Sequence, residues 1–309
     1  MSPTARGGSS VAVEVEGRTV QLSNLDKVLW PEAGLSKRWL LNYYADVTGT
    51  ILPHLEERPL TLHRFPDGVD GSHWYQTRAP AHPPWVRTIS LHYPRTGKTF
   101  DACVVSDAAT LLWAANLGAI ELHPFLSRTE ALDRPTALVF DLDPGWPATI
   151  VDCSRVALRI RDLLVELALA PLVKTSGAKG LHLYVPLDGS HTYEQTKAFA
   201  HAVAKAAARE LPELVVDRMA LAVRAGRVFI DWTQNDPGKS TVVAYSLRAC
   251  GAPTISMPVL WEEVERCQSS GRPGTLVFTA DDVRARIKEL GDIFRAAAEP
   301  GTRLPMLDS

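Results

Sequence analysis

The chain has 309 residues, of which 46% are hydrophobic and 22% charged, and its formal net charge is −2. This composition supports a packed core and excludes a disordered, collagen-like or disulfide-stapled protein. A net charge so close to zero also excludes a uniformly basic surface, so any contact with nucleic acid must come from a local basic patch.

The absence of a recognisable targeting signal and the spacing of the cysteines predict a cytoplasmic protein. No apolar run reaches the roughly 20 residues that a membrane helix needs, and the first residues lack the apolar stretch of a secretory signal. The cysteines show no metal-binding spacing and are interpreted as reduced thiols, with a zinc site assembled from distant segments as the alternative. They are Cys103, Cys153, Cys250 and Cys267.

Hydrophobic periodicity and turn residues predict interleaved strands and helices. The first half predicts a disordered tail at 1–10, a hairpin of strands 11–15 and 18–22, a helix at 36–47, loops and short strands at 63–100, and a helix at 107–119. The second half predicts strands at 137–143, 172–175, 181–186, 228–233 and 241–247, helices at 151–169, 192–211 and 279–294, and a tail at 298–309. The order is not a strict βαβ series. It therefore favours an α+β fold, with mixed or antiparallel sheets flanked by helices, in a single domain over 11–297.

Two of the predicted apolar strands end in carboxylates. Asp141 and Asp143 stand at i and i+2 of one strand and so share a face, about 6.5–7 Å apart along it. Asp231 ends another strand and meets them if the two strands are neighbours. Three converging carboxylates suit two divalent ions, Mg²⁺ or Mn²⁺. The alternatives are an exposed strand end for the first pair and a turn or helix cap for Asp231.

A glycine-containing turn links strands 172–175 and 181–186. Gly177 lets the backbone approach an anion, Ser176 adds a hydroxyl, and Lys179 adds a mobile positive charge. The spacing is not that of a Walker A loop. An ordinary hairpin turn with a solvated lysine is the alternative interpretation.

Other basic residues are candidates for phosphate contacts. Lys239 and Arg248 flank the predicted strand 241–247, close in sequence to the Asp231 strand. Lys37 falls in the first turn of a predicted helix, where the helix dipole favours anions, and Lys27 precedes it. Each of these residues can equally be a solvated surface charge.

Aromatic and histidine residues supply further candidates. Trp74 and Tyr75 are adjacent in a polar segment and can stack on bases, although they can equally be satellite core residues. His123 can contact a phosphate or a ribose, although a lone histidine is more often structural.

Together these segments resemble the archaeo-eukaryotic primase-polymerases of bacterial end joining. The resemblance is to the polymerase domain of bacterial ATP-dependent DNA ligase D and its stand-alone relatives, including those associated with ligase C, and it covers residues 18–295. The matching segments are SNLDKVLWP (23–31), RFPDGV (64–69), IELH (120–123), VFDLDP (139–144), TSGAKGLH (175–182), FIDWTQN (229–235) and YSLR (245–248).

The resemblance implies a primase-polymerase catalytic core with an RRM-like element. It implies that Asp141, Asp143 and Asp231 hold two metal ions, often Mn²⁺. The implied nucleotide-binding residues are His123, Ser176, Gly177, Lys179, Lys239 and Arg248, the implied DNA 5′-phosphate-binding residues are Lys27 and Lys37, and the implied template-stacking residues are Trp74 and Tyr75.

The sequence departs from the family pattern at three places. Trp74-Tyr75 stands where Phe-Phe is common, His63 stands where relatives carry a lysine, and Val243-Ala244 stands where a proline usually precedes Tyr245. The first departure keeps the stacking capacity, and the second makes any DNA contact there depend on pH. None of them touches the implied metal ligands.

The leading interpretation is a template-directed nucleotidyltransferase of bacterial DNA repair, in end joining or excision repair. It would fill short gaps or extend ends of DNA carrying a 5′-phosphate, using ribo- or deoxynucleoside triphosphates. The chain lacks the K-x-D-G motif of a ligase nucleophile. We therefore expect a separate ATP-dependent DNA ligase, and a Ku-like end-binding protein, as partners at the nucleoid. The alternatives are a metal-dependent phosphoesterase or nuclease acting on DNA ends, and a non-catalytic end-binding module.

Overall fold

The computed structural model of the chain describes residues 10–93 and 97–305. The tail was predicted at 1–10; residues 1–9 lie outside the described residues, and Ser10 belongs to the first strand instead. The predicted hairpin is present. Its turn residues, Glu16 and Gly17, have positive φ values of 51° and 74°, as tight hairpin turns require.

Helices and runs of strands are interleaved along the described part of the chain. The α-helices are α1 (Lys37–Asp46), α2 (Thr48–Leu55), α3 (Ala108–Asn116), α4 (Ile150–Glu166), α5 (Tyr193–Glu210), α6 (Trp261–Ser270) and α7 (Ala280–Leu290). The strands are β1 (Ser10–Val15), β2 (Arg18–Ser23), β3 (Val28–Trp30), β4 (Leu35–Ser36), β5 (Pro59–Arg64), β6 (Trp74–Gln76), β7 (Thr88–Tyr93), β8 (Lys98–Val104), β9 (Ala119–Pro124), β10 (Ala137–Pro144), β11 (Leu172–Thr175), β12 (Leu181–Pro186), β13 (Val215–Val216), β14 (Val228–Asp231), β15 (Leu247–Arg248), β16 (Thr254–Ile255) and β17 (Pro258–Val259).

A six-stranded sheet forms the centre, in the order β13-β14-β10-β12-β11-β17. All its pairings are antiparallel except β13 with β14. The run β10-α4-β11-β12-α5-β14 is a βαββαβ unit whose strands lie in the order fourth, first, third, second. This is the arrangement of an RRM-like element, and α4 and α5 both pack against β10. The predicted α+β class is confirmed.

A second sheet, of five strands, is built around β5, which pairs with β6, β8 and β9. Residues 241–246 join the two sheets. The N–H groups of Thr241 and Val243 donate to the carbonyls of Pro124 and Leu122 on β9. Thr241 and Val243 line one cavity together with Pro124 of the second sheet and Tyr184 of the central sheet, so the two sheets adjoin through this segment.

Several predicted boundaries differ from the structure. The predicted strand 241–247 is wrong for most of its length, because Tyr245 has a positive φ of 66° and breaks the extended backbone, so that only Leu247 and Arg248 form β15. The predicted strand 228–233 ends at Asp231, whose side chain caps a 3₁₀ turn over Trp232–Gln234. Helices α2 and α6 were not predicted.

The described part of the C-terminal tail folds back on the molecule. Gly301 and Thr302 donate backbone N–H groups to the carbonyls of Leu187 and Pro186, and Leu304 is buried. The hydrogen bonds extend the end of β12, so the stretch up to residue 305 behaves as part of the folded body.

One buried amide ties the 3₁₀ turn to the central sheet. The Asn235 side chain accepts from the N–H of Val139 at 2.9 Å and donates to the carbonyl of Val139 at 2.7 Å. Asn235 is fully buried. It therefore replaces a neighbouring strand for this part of β10 and fixes the turn that follows Asp231.

Replacing this amide should destabilise the fold. Asn235→Ala leaves two buried backbone groups without a partner, so we expect the free energy of unfolding to fall by about 2–4 kcal/mol. Chemical denaturation measures the change. Asn42→Ala, at an exposed position of α1, is the matched control and should not lower stability by more than about 0.5 kcal/mol. Equal effects of the two substitutions would contradict this role of Asn235.

Candidate active site

One row of polar side chains crosses four neighbouring strands of the central sheet. Lys174 on β11 lies opposite His182 on β12, His182 lies opposite Asp141 on β10, and Asp141 lies opposite Asp231 on β14. Directly opposed residues point to the same face of a sheet. The alternate residues of these strands are apolar and pack with α4 and α5 in the core, so the row occupies the other face.

The three candidate carboxylates lie at the end of β10. Because β14 is its neighbour, Asp231 stands directly opposite Asp141, and Asp143 follows two residues along. The Gln234 amide contacts two of the acids, with Nε2 3.0 Å from Oδ2 of Asp231 and 3.4 Å from Oδ2 of Asp141. Asp231 also accepts the N–H of Thr233 at 2.9 Å. It is therefore a turn cap as well as a member of the acidic group.

The electrostatics of the acids suit a divalent cation. Burial of the carboxyl group, and then Asp141 and Asp231, raise the pKa of Asp143 to about 7, although the residue as a whole is exposed to solvent. Burial also acts to raise the pKa of Asp141, but His182, Lys174 and Arg248 outweigh it and place that pKa below its ordinary value. Mutually repelling carboxylate oxygens are the ligands that hard divalent ions prefer. The donor set therefore fits Mg²⁺ or Mn²⁺.

A buried chain of hydrogen bonds orients Asp141. Lys174 Nζ donates to Ser256 Oγ at 2.6 Å and lies 3.0 Å from His182 Nδ1, and His182 Nε2 lies 3.1 Å from Asp141 Oδ1. Because the lysine donates to Nδ1, the imidazole N–H at Nε2 faces the carboxylate. Lys174 is fully buried, and burial lowers its pKa well below the ordinary value.

The turn between β11 and β12 is built for close approach of the backbone. Ser176 Oγ accepts the N–H groups of Ala178 and Gly180 at 3.2 and 3.1 Å. Gly177 has a φ of +72°, and a Cβ there would lie 2.6 Å from Cγ of Arg248. Lys179 is exposed. The turn thus presents a lysine and packs directly against Arg248, another predicted nucleotide-binding residue.

Arg248 on β15 forms an ion pair with Glu121, which lies on β9 of the second sheet. Arg248 Nε lies 3.3 Å from Glu121 Oε1, and the same oxygen accepts the N–H of Ala249 at 3.0 Å. The other oxygen of Glu121 lies 2.9 Å from Nε2 of His123. His123 is buried, and only its Nδ1 remains for the predicted contact with a nucleotide.

The predicted 5′-phosphate residues form a basic group at the start of α1. Lys37 Nζ donates to the carbonyl of Ser23 at 2.7 Å, and Lys27 Nζ pairs with Asp67 at 2.7 Å. Burial, and then Lys27 and Arg64, lower the pKa of Lys37 to about 8. Lys37 lies in the first turn of the helix as predicted, although the Ser36 side chain makes no capping hydrogen bond.

The two predicted stacking residues face opposite sides of β6. Trp74 pairs with Arg64, whose guanidinium lies 5.2 Å from the indole centroid. Tyr75 pairs with His63 and stacks on its ring at 3.9 Å. Both aromatic residues are exposed. They therefore face different neighbours, the tryptophan beside the basic group and the tyrosine beside His123.

Sequence reasoning missed residues that become partners only through folding. The exposed Lys239, by contrast, was predicted; it lies in the turn before residues 241–246, and its nucleotide contact stays a prediction.

The residues that were missed include Gln234, His182 and Glu121. All three lie inside segments that carried the resemblance, but their contacts depend on which strands pair. Arg64 and Lys174 were missed for the same reason.

Comparison with known proteins identifies the class. Residues 36–294 match the family described as LigD, primase-polymerase domain. The multifunctional non-homologous end joining DNA repair protein LigD of Mycobacterium tuberculosis (strain ATCC 25618 / H37Rv) is 36% identical over 283 residues, which are 89% of this chain and 36% of that protein. The multifunctional non-homologous end joining protein LigD of Pseudomonas aeruginosa is 31% identical over 288 residues, 87% of this chain and 32% of the relative.

A solved structure shows the same fold. The polymerase domain from Mycobacterium tuberculosis ligase D in complex with DNA matches with a TM-score of 0.83 and 34% identity, over 90% of this chain and 98% of that one. The fold and the matched family define the class as a primase-polymerase domain. The chain belongs to the LigD primase-polymerase domain family, and it spans about a third of the length of the first curated relatives it matches. Within the described residues, no helix is long and apolar enough to cross a membrane.

Divalent-ion affinity should fall as the pH drops through 7. Asp143, with a pKa of about 7, must lose its proton to become a ligand, so below that pH each ion displaces a proton. We expect the apparent Kd for Mn²⁺ to rise by up to about tenfold per pH unit below 7 and to level off above 8. Calorimetric titration without DNA measures it. In Asp143→Asn, binding should be weak and this pH dependence lost. An affinity for Mn²⁺ that does not change between pH 6 and 8 would contradict the assignment.

Proposed function

We propose that the chain is a template-directed polymerase that fills short gaps or extends ends with ribo- or deoxynucleotides during bacterial DNA repair. The observation that carries the proposal is the row of Asp141 and Asp231 on neighbouring strands with Asp143 beside them. These carboxylates would hold two Mn²⁺ or Mg²⁺ ions, which would activate the primer hydroxyl and stabilise the leaving pyrophosphate.

The residues around the acids support binding of a nucleoside triphosphate. Arg248 lies against Gly177 in the turn that carries Ser176 and Lys179, which assembles cationic and hydroxyl groups within one region. Such groups neutralise the negative charge on the triphosphate. The Glu121 carboxylate fixes the Arg248 guanidinium from the other side. In this proposal Lys239 and His123 complete the nucleotide contacts.

On the DNA side, the proposal assigns the downstream 5′-phosphate to Lys27 and Lys37. Burial and neighbouring positive charge lower the pKa of Lys37 to about 8, and a bound dianionic phosphate would raise that pKa and stabilise the ammonium form. Trp74 adjoins this basic group through Arg64. The proposal therefore assigns Trp74 to the 5′-phosphate side of the template and Tyr75 to the nucleotide side.

The biological setting is also part of the proposal. The relatives are named for non-homologous end joining, and the structural neighbour is described in complex with DNA. We propose that residues 11–297 form one catalytic domain that works at the nucleoid in the cytoplasm. In this setting a separate ATP-dependent DNA ligase seals the filled gap, with a Ku-like protein holding the ends.

Extension across a gap tests the proposed function. A labelled primer facing a short gap with a downstream 5′-phosphate should gain the templated nucleotide with Mn²⁺ and the matching triphosphate. Asp141→Asn and Asp231→Asn should each reduce the rate at least about a thousandfold, because removing one ligand disables a two-ion site. Glu210→Gln, an exposed carboxylate at the end of α5, is the control and should keep full activity.

Two results would contradict the proposal. Shortening of the primer without triphosphate would indicate a nuclease. DNA binding without nucleotide addition, unchanged in Asp141→Asn, would indicate a non-catalytic end-binding module.

The 5′-phosphate contact has its own prediction. Lys37→Met should abolish the preference for a 5′-phosphorylated gap and leave extension on a primer-template without a downstream strand unchanged. Arg38→Met is the matched control, since Arg38 is the next residue on α1 and pairs with Asp26 in solvent. Comparing extension with and without the phosphate measures the preference. A preference retained in Lys37→Met would refute the assignment.

A further inference from the structure

A histidine cluster lies on the second sheet, apart from the row of acids. We define it as His63, His73, Glu121 and His123. The register of β5 and β9 sets His63 directly opposite Glu121, and His123 follows two residues later on the same face. The cluster is therefore built by strand pairing and does not depend on a surface loop, apart from His73.

The glutamate lies between two imidazoles. Oε2 of Glu121 is 3.1 Å from His63 Nδ1 and 2.9 Å from His123 Nε2. One ligand atom from each of the three residues lies within 4.8 Å of the others. Ligand atoms around a tetrahedral zinc ion with bonds near 2.0–2.1 Å are separated by roughly 3.3 Å. Small side-chain movements therefore suffice to bring all three onto one ion.

Outer contacts orient these groups as they do in metal sites. His63 Nε2 lies 3.0 Å from His73 Nδ1, so His63 can carry its proton on Nε2 and present Nδ1 to an ion. Oε1 of Glu121 accepts the N–H of Ala249 and lies against Arg248. Metal-bound imidazoles and carboxylates regularly have such partners on their second polar atom. His63, Glu121 and His123 are each more than nine-tenths buried.

We propose that His63, Glu121 and His123 bind one zinc-type transition-metal ion, with His73 orienting His63 from outside. Two imidazoles and one carboxylate are a donor set that zinc takes in proteins while keeping a fourth position open. The set differs from the all-oxygen ligands at the end of β10, which suit Mg²⁺ or Mn²⁺. The ion would also fix Glu121, and through it Arg248, beside the proposed nucleotide site.

Zinc binding in excess Mg²⁺ tests the proposal. The untagged full chain is dialysed against Zn²⁺ with millimolar Mg²⁺, which occupies the carboxylates, and bound zinc is counted by elemental analysis. We expect one zinc per chain. His63→Ala should weaken binding at least a hundredfold, and His73→Ala by about 10–100-fold as a lost outer partner does. His92→Ala, an exposed histidine on β7, and Asp231→Asn should both retain the zinc.

A second variant separates loss of a ligand from loss of the fold. His63→Gln keeps a polar side chain opposite Glu121, and its circular dichroism should match that of the parent chain while the zinc is lost. Cobalt in place of zinc should give the visible absorption of a four-coordinate ion, absent from His63→Gln. No zinc uptake by the parent chain would overturn the proposal. So would equal uptake by His63→Gln, or loss of the zinc in Asp231→Asn.

Discussion

The register of three antiparallel strands is the constraint on which the site depends. Strands β12, β10 and β14 align His182, Asp141 and Asp231 in one row. Side chains alternate between faces, so a slip of one residue would turn these groups into the apolar core beneath α4 and α5. That penalty, together with the Asn235 clamp on β10, fixes the geometry before any ligand binds.

Repulsion between the three acids explains why polar and charged side chains are buried around them. Three acids on two neighbouring strands repel each other, and this repulsion contributes to the raised pKa of Asp143. Arg248 offsets part of this charge, and Glu121 holds Arg248 in place from the second sheet. In this account, the contact between Glu121 and Arg248 serves the proposed site as well as the packing of the fold. Perturbed pKa values grouped in this way are typical of catalytic sites.

The sequence pointed to the candidate acids more readily than to the details of the fold. Acids at i and i+2 on an apolar strand, and a third at the end of another, were visible from alternation alone. The partners Glu121, Gln234 and Lys174 were not, because their contacts arise from pairing between segments far apart in the chain. Trp74 and Tyr75 lie on opposite faces of β6 because they are consecutive residues of a strand, which the sequence did not show. The predicted strand 241–247 failed at Tyr245, where a positive φ leaves no periodic signal.

The most direct test of the central claim is the number of Mn²⁺ ions that the acids bind with a non-hydrolysable nucleoside triphosphate present. Electron paramagnetic resonance of the free ion at pH 8, corrected for the ions that the nucleotide binds without protein, gives that number. The account predicts two ions per chain in the parent protein and a loss of bound ions in Asp231→Asn. A parent chain that binds none, or an unchanged number in Asp231→Asn, would contradict it.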